Sequence, residues 1–299
     1  MPLIKYVNRS PNAATRVLIG IANAIIEEYA ADGYALTLRQ LYYQFVARDL
    51  LPNEQRQYKR LGGIVNDGRL AGLIDWDAIE DRTRNIRGLA HWPDADAILT
   101  DAAASFRFDK WQDQPHRVEV WIEKEALAGV FERICRELDV SYFSCRGYVS
   151  QSEMWRAAQR LRRYEKAGQK TLILHFGDHD PSGMDMTRDI ADRLYTFGSE
   201  ATVDRLALTM DQIGHYKPPP NPAKLTDSRA SGYVSRYGYD SWELDALDPK
   251  VLSDLVRGGV EAVRDDDLWK ARLGEERRIK NGLHDLAAHF EDAVEAVTP

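Results

Sequence analysis

The sequence has only two cysteines in 299 residues, Cys135 and Cys145, and no CxxC pair. This argues against a disulfide scaffold or a structural zinc site and fits a reducing, cytoplasmic compartment. No apolar run approaches the roughly 20 residues that span a bilayer, so no membrane partner is expected. The N-terminus lacks the apolar core of a signal peptide. A phosphate-binding GxxxxGK[ST] loop is missing, so any ATP-driven step needs a separate ATPase subunit. An overall basic excess is missing too: 40 Lys and Arg face 47 Asp and Glu, a net charge of −7. Net charge therefore does not mark a nucleic-acid binder, but its distribution is uneven. Residues 36–90 hold nine basic against seven acidic side chains, and residues 91–299 hold 28 against 37. What is present is ordinary for a globular protein, with 44% hydrophobic and 29% charged residues and length enough for two cores.

The chain is organised around Leu172–Asp185, LILHFGDHDPSGMD. Leu172 to Phe176 is an apolar run suited to a buried strand. Gly177 ends it, Asp178 and Asp180 follow, and Pro181 and Gly183 prevent further strand. Ser182 is placed to cap the next helix. Two carboxylates at the carboxyl end of a parallel strand sit where open α/β sheets bind ligands, and they suit a hard cation such as Mg²⁺. Alone, such a pair also fits an acidic surface turn.

Upstream, the pattern predicts three helices. Ser10-Pro11 reads as a helix start, with Leu18, Ile21, Ile25 and Tyr29 on one face and Gly33 as the stop. Thr37 and Gln40 form a capping box for a second helix, whose Leu38, Leu41, Tyr42 and Phe45 make one buried stripe. After Pro52, Asn53 is expected to cap a third helix carrying Arg56, Lys59, Arg60 and Arg69. Gly62 and Gly63 weaken it by roughly 1 kcal/mol each, or allow close backbone approach. Trp76–Arg87 carries Arg82, Arg84 and Arg87 and reads as a wing or extended arm. A three-helix unit with a basic third helix fits a winged-helix DNA-binding domain over residues 1–110. The alternative is a helical domain with a solvated basic face. A helix near Asp94–Phe108, bracketed by Pro93 and Pro115, forms the connector.

From His116 strands and helices alternate: a strand over 117–122, a helix over 126–138, a strand over 140–145 and a helix from Ser150 to Gly168. The Leu172–Phe176 strand, a helix over 184–197 and a strand over 203–209 complete the series. This order predicts a mostly parallel sheet covered by helices, with a helical C-terminal tail over 251–263 and 269–297 that offers a dimer surface. Glu123, Gly147, Asp178 and Asp180 then share one sheet edge.

A Glu after the first strand, a Gly after the second and DxDxxG after the third resemble the Toprim domain over roughly residues 116–210. The resemblance implies that Glu123, Asp178 and Asp180 hold Mg²⁺ and handle a phosphodiester, with Asp185 as a weaker addition. Thr37-Leu38-Arg39-Gln40-Leu41-Tyr42-Tyr43 resembles a segment of the A subunit of type IIB DNA topoisomerases and of their relatives that make meiotic double-strand breaks. Ile122-Glu123-Lys124-Glu125-Ala126 and Asp178–Gly183 are similar to that family's versions, and small stand-alone A-like proteins look closer still. Gln40 stands where the family segment has an acid. The implied architecture is α/β, a winged-helix domain followed by a Toprim domain over 111–299. The implied activity is Mg²⁺-dependent cleavage of double-stranded DNA by a tyrosine.

Helical pitch puts Tyr42 on the buried stripe and turns Tyr43 about 100° away, one turn from Arg39. A phenol near pKa ~10 needs help to attack phosphorus, and the Arg39 guanidinium is placed to supply it. The residues read from the sequence are therefore Tyr43, Arg39 and Glu123 for catalysis, Glu123, Asp178 and Asp180 for the metal, and Arg56, Lys59, Arg60, Arg69, Arg82 and Arg84 for DNA phosphates. A double-strand break by one tyrosine per chain implies a homodimer. His179 is placed to meet phosphate and His175 to pack. Lys217–Pro222 reads as a stiff extended loop, followed by Arg229, Arg236 and three tyrosines as a strand-contacting patch or a helix surface. Two other readings stand beside this one: a nuclease in which metal-bound water attacks, and a DNA-binding regulator with a silent site.

Overall fold

A computed structural model describes residues 3–79, 89 and 91–290. Helices α1 (Ala13–Ala31), α2 (Leu38–Ala47) and α3 (Gln55–Leu70) pack around Ile25, Leu41, Phe45, Leu61 and Ile74. The Thr37–Gln40 capping box forms in both directions. The other two expected caps do not. Asn12, not Ser10, caps α1, accepting from the Thr15 amide at 2.8 Å. Glu54 stands at the cap of α3 without a side-chain bond, and the Tyr42 hydroxyl takes over by accepting from the Glu54 amide at 2.8 Å. That hydroxyl also lies 2.9 Å from the Pro52 carbonyl, so Tyr42 is packed and satisfied, and Asn53 is free to reach Asn221 at 2.9 Å. Gly62 does permit close approach, since a Cβ there would stand 3.1 Å from Leu38, whereas Gly63 faces open space. Of the expected wing, described residues show Ile79 bridged to Leu36; Arg82, Arg84 and Arg87 lie outside the described residues.

The second half is an α/β sandwich. Strands β1 (His116–Ile122), β2 (Ser141–Ser144), β3 (Lys170–Phe176) and β4 (Thr202–Ala207) form one sheet in the order β2-β1-β3-β4, every pair parallel. On one face, Val118, Val120, Leu172 and Leu174 meet α5 (Ala128–Glu137) and α10 (Pro249–Glu261). On the other, Trp121 and Ile173 meet α6 (Gln151–Lys166) and α7 (Pro181–Thr196). Period-two alternation along buried strands supplies both layers. Between β4 and α10, α8 (Met210–Tyr216) leads to a two-stranded antiparallel ribbon, β5 (Asn221–Pro222) with β6 (Asp240–Ser241), which encloses α9 (Ala230–Tyr237).

The described tail folds back on its own chain. Helix α11 (Asp266–Ala288) lies against the connector helix α4 (Ala95–Ser105). Its Glu276 takes the Lys110 ammonium at 3.0 Å and the Phe108 amide at 2.9 Å, and Trp269 packs on Trp111. The face expected to meet a second copy is thus partly covered within the chain. Among the described residues, no helix is long and apolar enough to cross a membrane.

Replacing the observed cap, Asn12→Ala, should cost about 0.5–2 kcal/mol of unfolding free energy. Ser10→Ala, at the position the sequence favours, should stay within about 0.5 kcal/mol. Urea unfolding of both variants checks this, and equal losses would contradict the placement of the helix start.

Candidate active site at the sheet edge

The carboxyl ends of β1, β2 and β3 meet on one edge, and the turn after β3 supplies its centre. Gly177 continues the sheet, donating its amide to the Ala207 carbonyl at 2.9 Å. Asp178 follows with every polar atom engaged. Its amide donates to Glu123 Oε2 at 2.8 Å, its Oδ1 accepts the Leu244 amide at 2.8 Å, and its Oδ2 pairs with Lys124 Nζ at 2.9 Å. A ligand site at this edge, as expected from the sequence, calls for carboxylates open to solvent. The structure buries Asp178 to 7% exposure, because the Leu244–Ala246 turn closes over it. Asp180 caps α7, accepting from the Gly183 amide at 2.6 Å and the Ser182 hydroxyl at 2.9 Å. Ser182, the expected cap, lies inside the first turn because Pro181 already opens the helix.

Glycine is required twice here. A Cβ at Gly183 would strike the Asp178 carbonyl, and one at Gly177 would stand 2.9 Å from Glu123 Oε2. Their absence lets the Glu123 carboxylate lie flat against the turn.

Arg205 on β4 locks this arrangement. Its five N–H donors, the full complement of a guanidinium, meet five oxygens. Nη2 reaches the Gly177 and Asp178 carbonyls at 2.9 and 2.5 Å. Nη1 reaches the Gly183 carbonyl at 2.9 Å and Thr187 Oγ1 at 3.0 Å, and Nε the Leu208 carbonyl at 3.2 Å. His175 is packed as expected, fully buried with Nδ1 2.8 Å from Thr187 Oγ1. Burial and Arg205 push its pKa down to about 3. His179, placed by the sequence reading to meet phosphate, is 1% exposed. Its ring contacts Tyr233, Tyr237 and Trp242 edge-on, with Nδ1 2.8 Å from the Tyr233 hydroxyl. Burial and then Arg205 lower its pKa to about 4, so it is neutral at neutral pH.

The site extends beyond the expected residues. Lys124 Nζ, besides Asp178, lies 3.0 Å from Glu243 Oε2 and 3.1 Å from Asp245 Oδ1. The same two acids take Arg39 from the helical unit: Nε pairs with Asp245 at 2.7 Å and Nη2 with Glu243. Arg39 in turn sits with its guanidinium carbon 5.8 Å from the Tyr43 ring centroid. The helix wheel thus brings Tyr43 to Arg39 as the spacing predicts, but the Tyr43 face is not open. It is 4% exposed, covered by the same turn that buries Asp178. Burial, Asp245 and Glu243 raise its phenol pKa, outweighing the lowering by Arg39. The sequence reading expects the opposite sign.

Burial and the neighbouring Asp178 push the Glu123 carboxyl well above its usual range, and burial does the same to Asp178 against the pull of Lys124. Burial also raises Asp245, whereas at Glu243 burial is outweighed by Lys124 and Arg39, and its pKa falls to about 2. Glu123 opens onto a groove of about 320 Å³ lined also by Arg39, Lys124, Glu125, Arg146, Gly147 and Asp245. Gly147, with φ +84°, turns the chain here after β2, and Arg146 pairs with Glu125 at 3.0 Å. Asp185 is drawn away to the Tyr148 hydroxyl at 2.7 Å and to Arg188 and Arg229.

The Mg²⁺ implied by the resemblance does not fit the donors as they stand. Both Asp178 oxygens are engaged, and one Asp180 oxygen serves the helix cap. Among the described residues, no group of three His, Cys, Asp or Glu side chains is placed to hold a metal ion. Mg²⁺ needs near-octahedral oxygens, so it would have to displace Lys124 from Asp178.

On α3, Arg56, Lys59 and Arg60 are exposed, as a phosphate-contacting row requires. Arg69 is committed elsewhere, donating to the Ile79 carbonyl at 2.6 Å and covering Trp76. Arg82 and Arg84 lie outside the described residues. The sequence reading misses four site residues: Lys124, Arg205, Glu243 and Asp245. Arg205 carries a usable signal, a guanidinium in a short strand, and Lys124 adjoins the motif glutamate. Glu243 and Asp245 carry none, since only folding brings them to the edge. Comparisons of the chain with family models, with curated proteins and with solved structures gave no match.

Asp178→Ala removes one of the three acids around the half-buried Lys124 ammonium and leaves the buried Leu244 amide without its acceptor. It should lower unfolding free energy by about 1–3 kcal/mol, the cost of an unsatisfied buried donor. Chemical denaturation at neutral pH reads the effect, and wild-type stability would contradict the burial described.

Proposed function

We propose that this chain is a DNA-cleaving transesterase resembling the type IIB topoisomerase A subunit, its helical unit acting as a winged-helix DNA-binding domain and its sandwich as a Toprim domain. The observation that carries the reading is the chain of contacts from Tyr43 through Arg39 and Asp245 to Lys124 and Asp178. It ties a tyrosine and a guanidinium from α2 to the acidic edge of a parallel sheet, where such sheets bind ligands. In the reaction Tyr43 Oη gives up its proton and bonds to phosphorus, the phosphorus–oxygen bond to one deoxyribose breaks, and the departing oxygen takes up a proton, so none is gained or lost overall. The phosphotyrosyl bond keeps the energy needed for resealing. Arg39 offers charge to the phenolate and the phosphate oxygens. Because Tyr43 is covered, attack requires the Leu244–Ala246 turn and α2 to part. Double-stranded DNA is the substrate and Mg²⁺ the cofactor of this reading. Two copies are needed for a double-strand break, and a separate ATPase subunit for any strand passage.

The burial of Tyr43 and its raised pKa favour a second reading, a nuclease in which water attacks and Glu123 accepts its proton. The raised pKa of Glu123 suits a general base at neutral pH. Detergent-quenched cleavage of supercoiled DNA separates the two. Tyr43→Phe should abolish a covalent protein–DNA adduct while Tyr42→Phe keeps it. Wild-type cutting by Tyr43→Phe without any adduct establishes the water route instead.

DNA affinity should fall steeply with salt, because neutralised phosphates release counterions with a log–log slope of about −0.9 per contact. The triple change Arg56→Ala, Lys59→Ala, Arg60→Ala should flatten that slope by up to about three contacts. Arg69→Ala should lower thermal stability and leave the slope intact. An unchanged slope in the triple variant would move the DNA path off α3.

A further inference from the structure

Arg39 lines two cavities, the groove at the carboxylate edge and a second one beside α2. The second encloses about 300 Å³ between α2, the start of α3 and the ribbon strand β5. That volume is at the lower end of cavities that take a small organic ligand, so it suits a single flat ring system. Tyr42 and Tyr43, both buried, line it together with the half-buried Tyr58, whose ring stands edge-on to Tyr42 at 5.5 Å between centroids. The Tyr42 hydroxyl is spent on the Pro52 carbonyl and the Glu54 amide, whereas the Tyr58 hydroxyl bonds to no group among the described residues. Asn53 and Asn221 line the same cavity, and Asn53 Nδ2 donates to Asn221 Oδ1 at 2.9 Å. That bond leaves Asn53 Oδ1 as an acceptor and Asn221 Nδ2 as a donor with no further partner among the described residues.

An acceptor and a donor side by side, next to aromatic rings, match the edge and the face of a nucleobase. An amide side chain of a protein partner offers the same donor and acceptor but has no ring to lie on the tyrosines. The position on α3 also favours a base. Gln55, exposed at the rim of the cavity, lies one helical turn from Lys59, in the exposed row Arg56, Lys59 and Arg60. We propose that this cavity is a nucleobase subsite. One base of a DNA strand whose phosphates lie on that row leaves its stack, rests on the Tyr58 ring and bonds through its edge to Asn53 and Asn221. Tyr43 lines the same cavity, so the base taken there sets the register of the strand against that tyrosine.

The inference rests on reading α3 as a DNA-binding face, and its tests involve no cleavage, so they are separate from the adduct assay. Fluorescence anisotropy compares the full chain on a short single-stranded oligodeoxynucleotide and on a wholly abasic strand of equal length. The wild type should prefer the strand with bases by about fivefold or more, the least that one base stacked on an aromatic ring contributes. Tyr58→Ala should lose that preference. So should Asn221→Ala, which leaves the aromatic packing of Tyr42 and Tyr58 untouched. Equal binding of the two strands by the wild type overturns the subsite and leaves the DNA-binding reading standing, and a preference kept by both variants overturns the subsite as well. Binding of neither strand overturns both. The second measurement needs no variant. Irradiation of the wild-type protein on a strand carrying 5-iodouracil, read by mass spectrometry, should attach the base to Tyr58, Tyr42 or Tyr43. Crosslinks only to other residues, or none, overturn the proposal.

Discussion

A single guanidinium sets the geometry of the sheet edge. Arg205 gathers the carbonyls of Gly177, Asp178, Gly183 and Leu208 with the Thr187 hydroxyl. Those groups belong to the end of β3, the start of α7 and the end of β4. A turn carrying two carboxylates at a strand end would otherwise splay toward water, because each ionised group gains by hydration. The fork fixes the backbone instead, so the side chains of Asp178 and Asp180 emerge in set directions. Glycines 177 and 183 are the steric counterpart: they clear the space into which Glu123 folds.

Burying this much charge is costly unless partners are supplied. The structure supplies them from far along the chain. Glu243 and Asp245 arrive on a turn more than sixty residues after Asp178, and Arg39 arrives from the helical unit. The edge is therefore also the joint between the two halves. Tyr29 to Asp248 at 2.7 Å, Asn53 to Asn221 at 2.9 Å and Arg133 to the Asp32 carbonyl at 2.7 Å add polar contacts around it.

The energetics at Tyr43 follow from that joint. A guanidinium beside a phenol favours the phenolate, but burial and nearby acids can outweigh that pull. Here the same guanidinium brings Glu243 and Asp245 with it, and their charge combines with burial to hold the proton on. Arg39 and Tyr43 are neighbours one helical turn apart, in an environment that holds the phenol protonated.

The repeating strand and helix pattern, the capping box at Thr37 and the placement of Glu123, Asp178 and Asp180 at strand ends were legible in the amino-acid order. Each depends on neighbours within a few residues: hydrophobic period, turn residues, a cap and its partner. The helix wheel likewise separates Tyr42 from Tyr43 and pairs Tyr43 with Arg39. The caps at Asn12 and Glu54 were not legible, since Ser10 and Asn53 are equally good by type and a distant hydroxyl decided the second. Nor was the fate of the carboxylates. Whether an aspartate at a strand end is open to solvent or sealed by a lysine, an arginine and a returning turn depends on contacts between segments 27 to over 200 residues apart. Local sequence sets what each segment can present, and burial, which fixes charge state and access, is decided only when those segments close on one another.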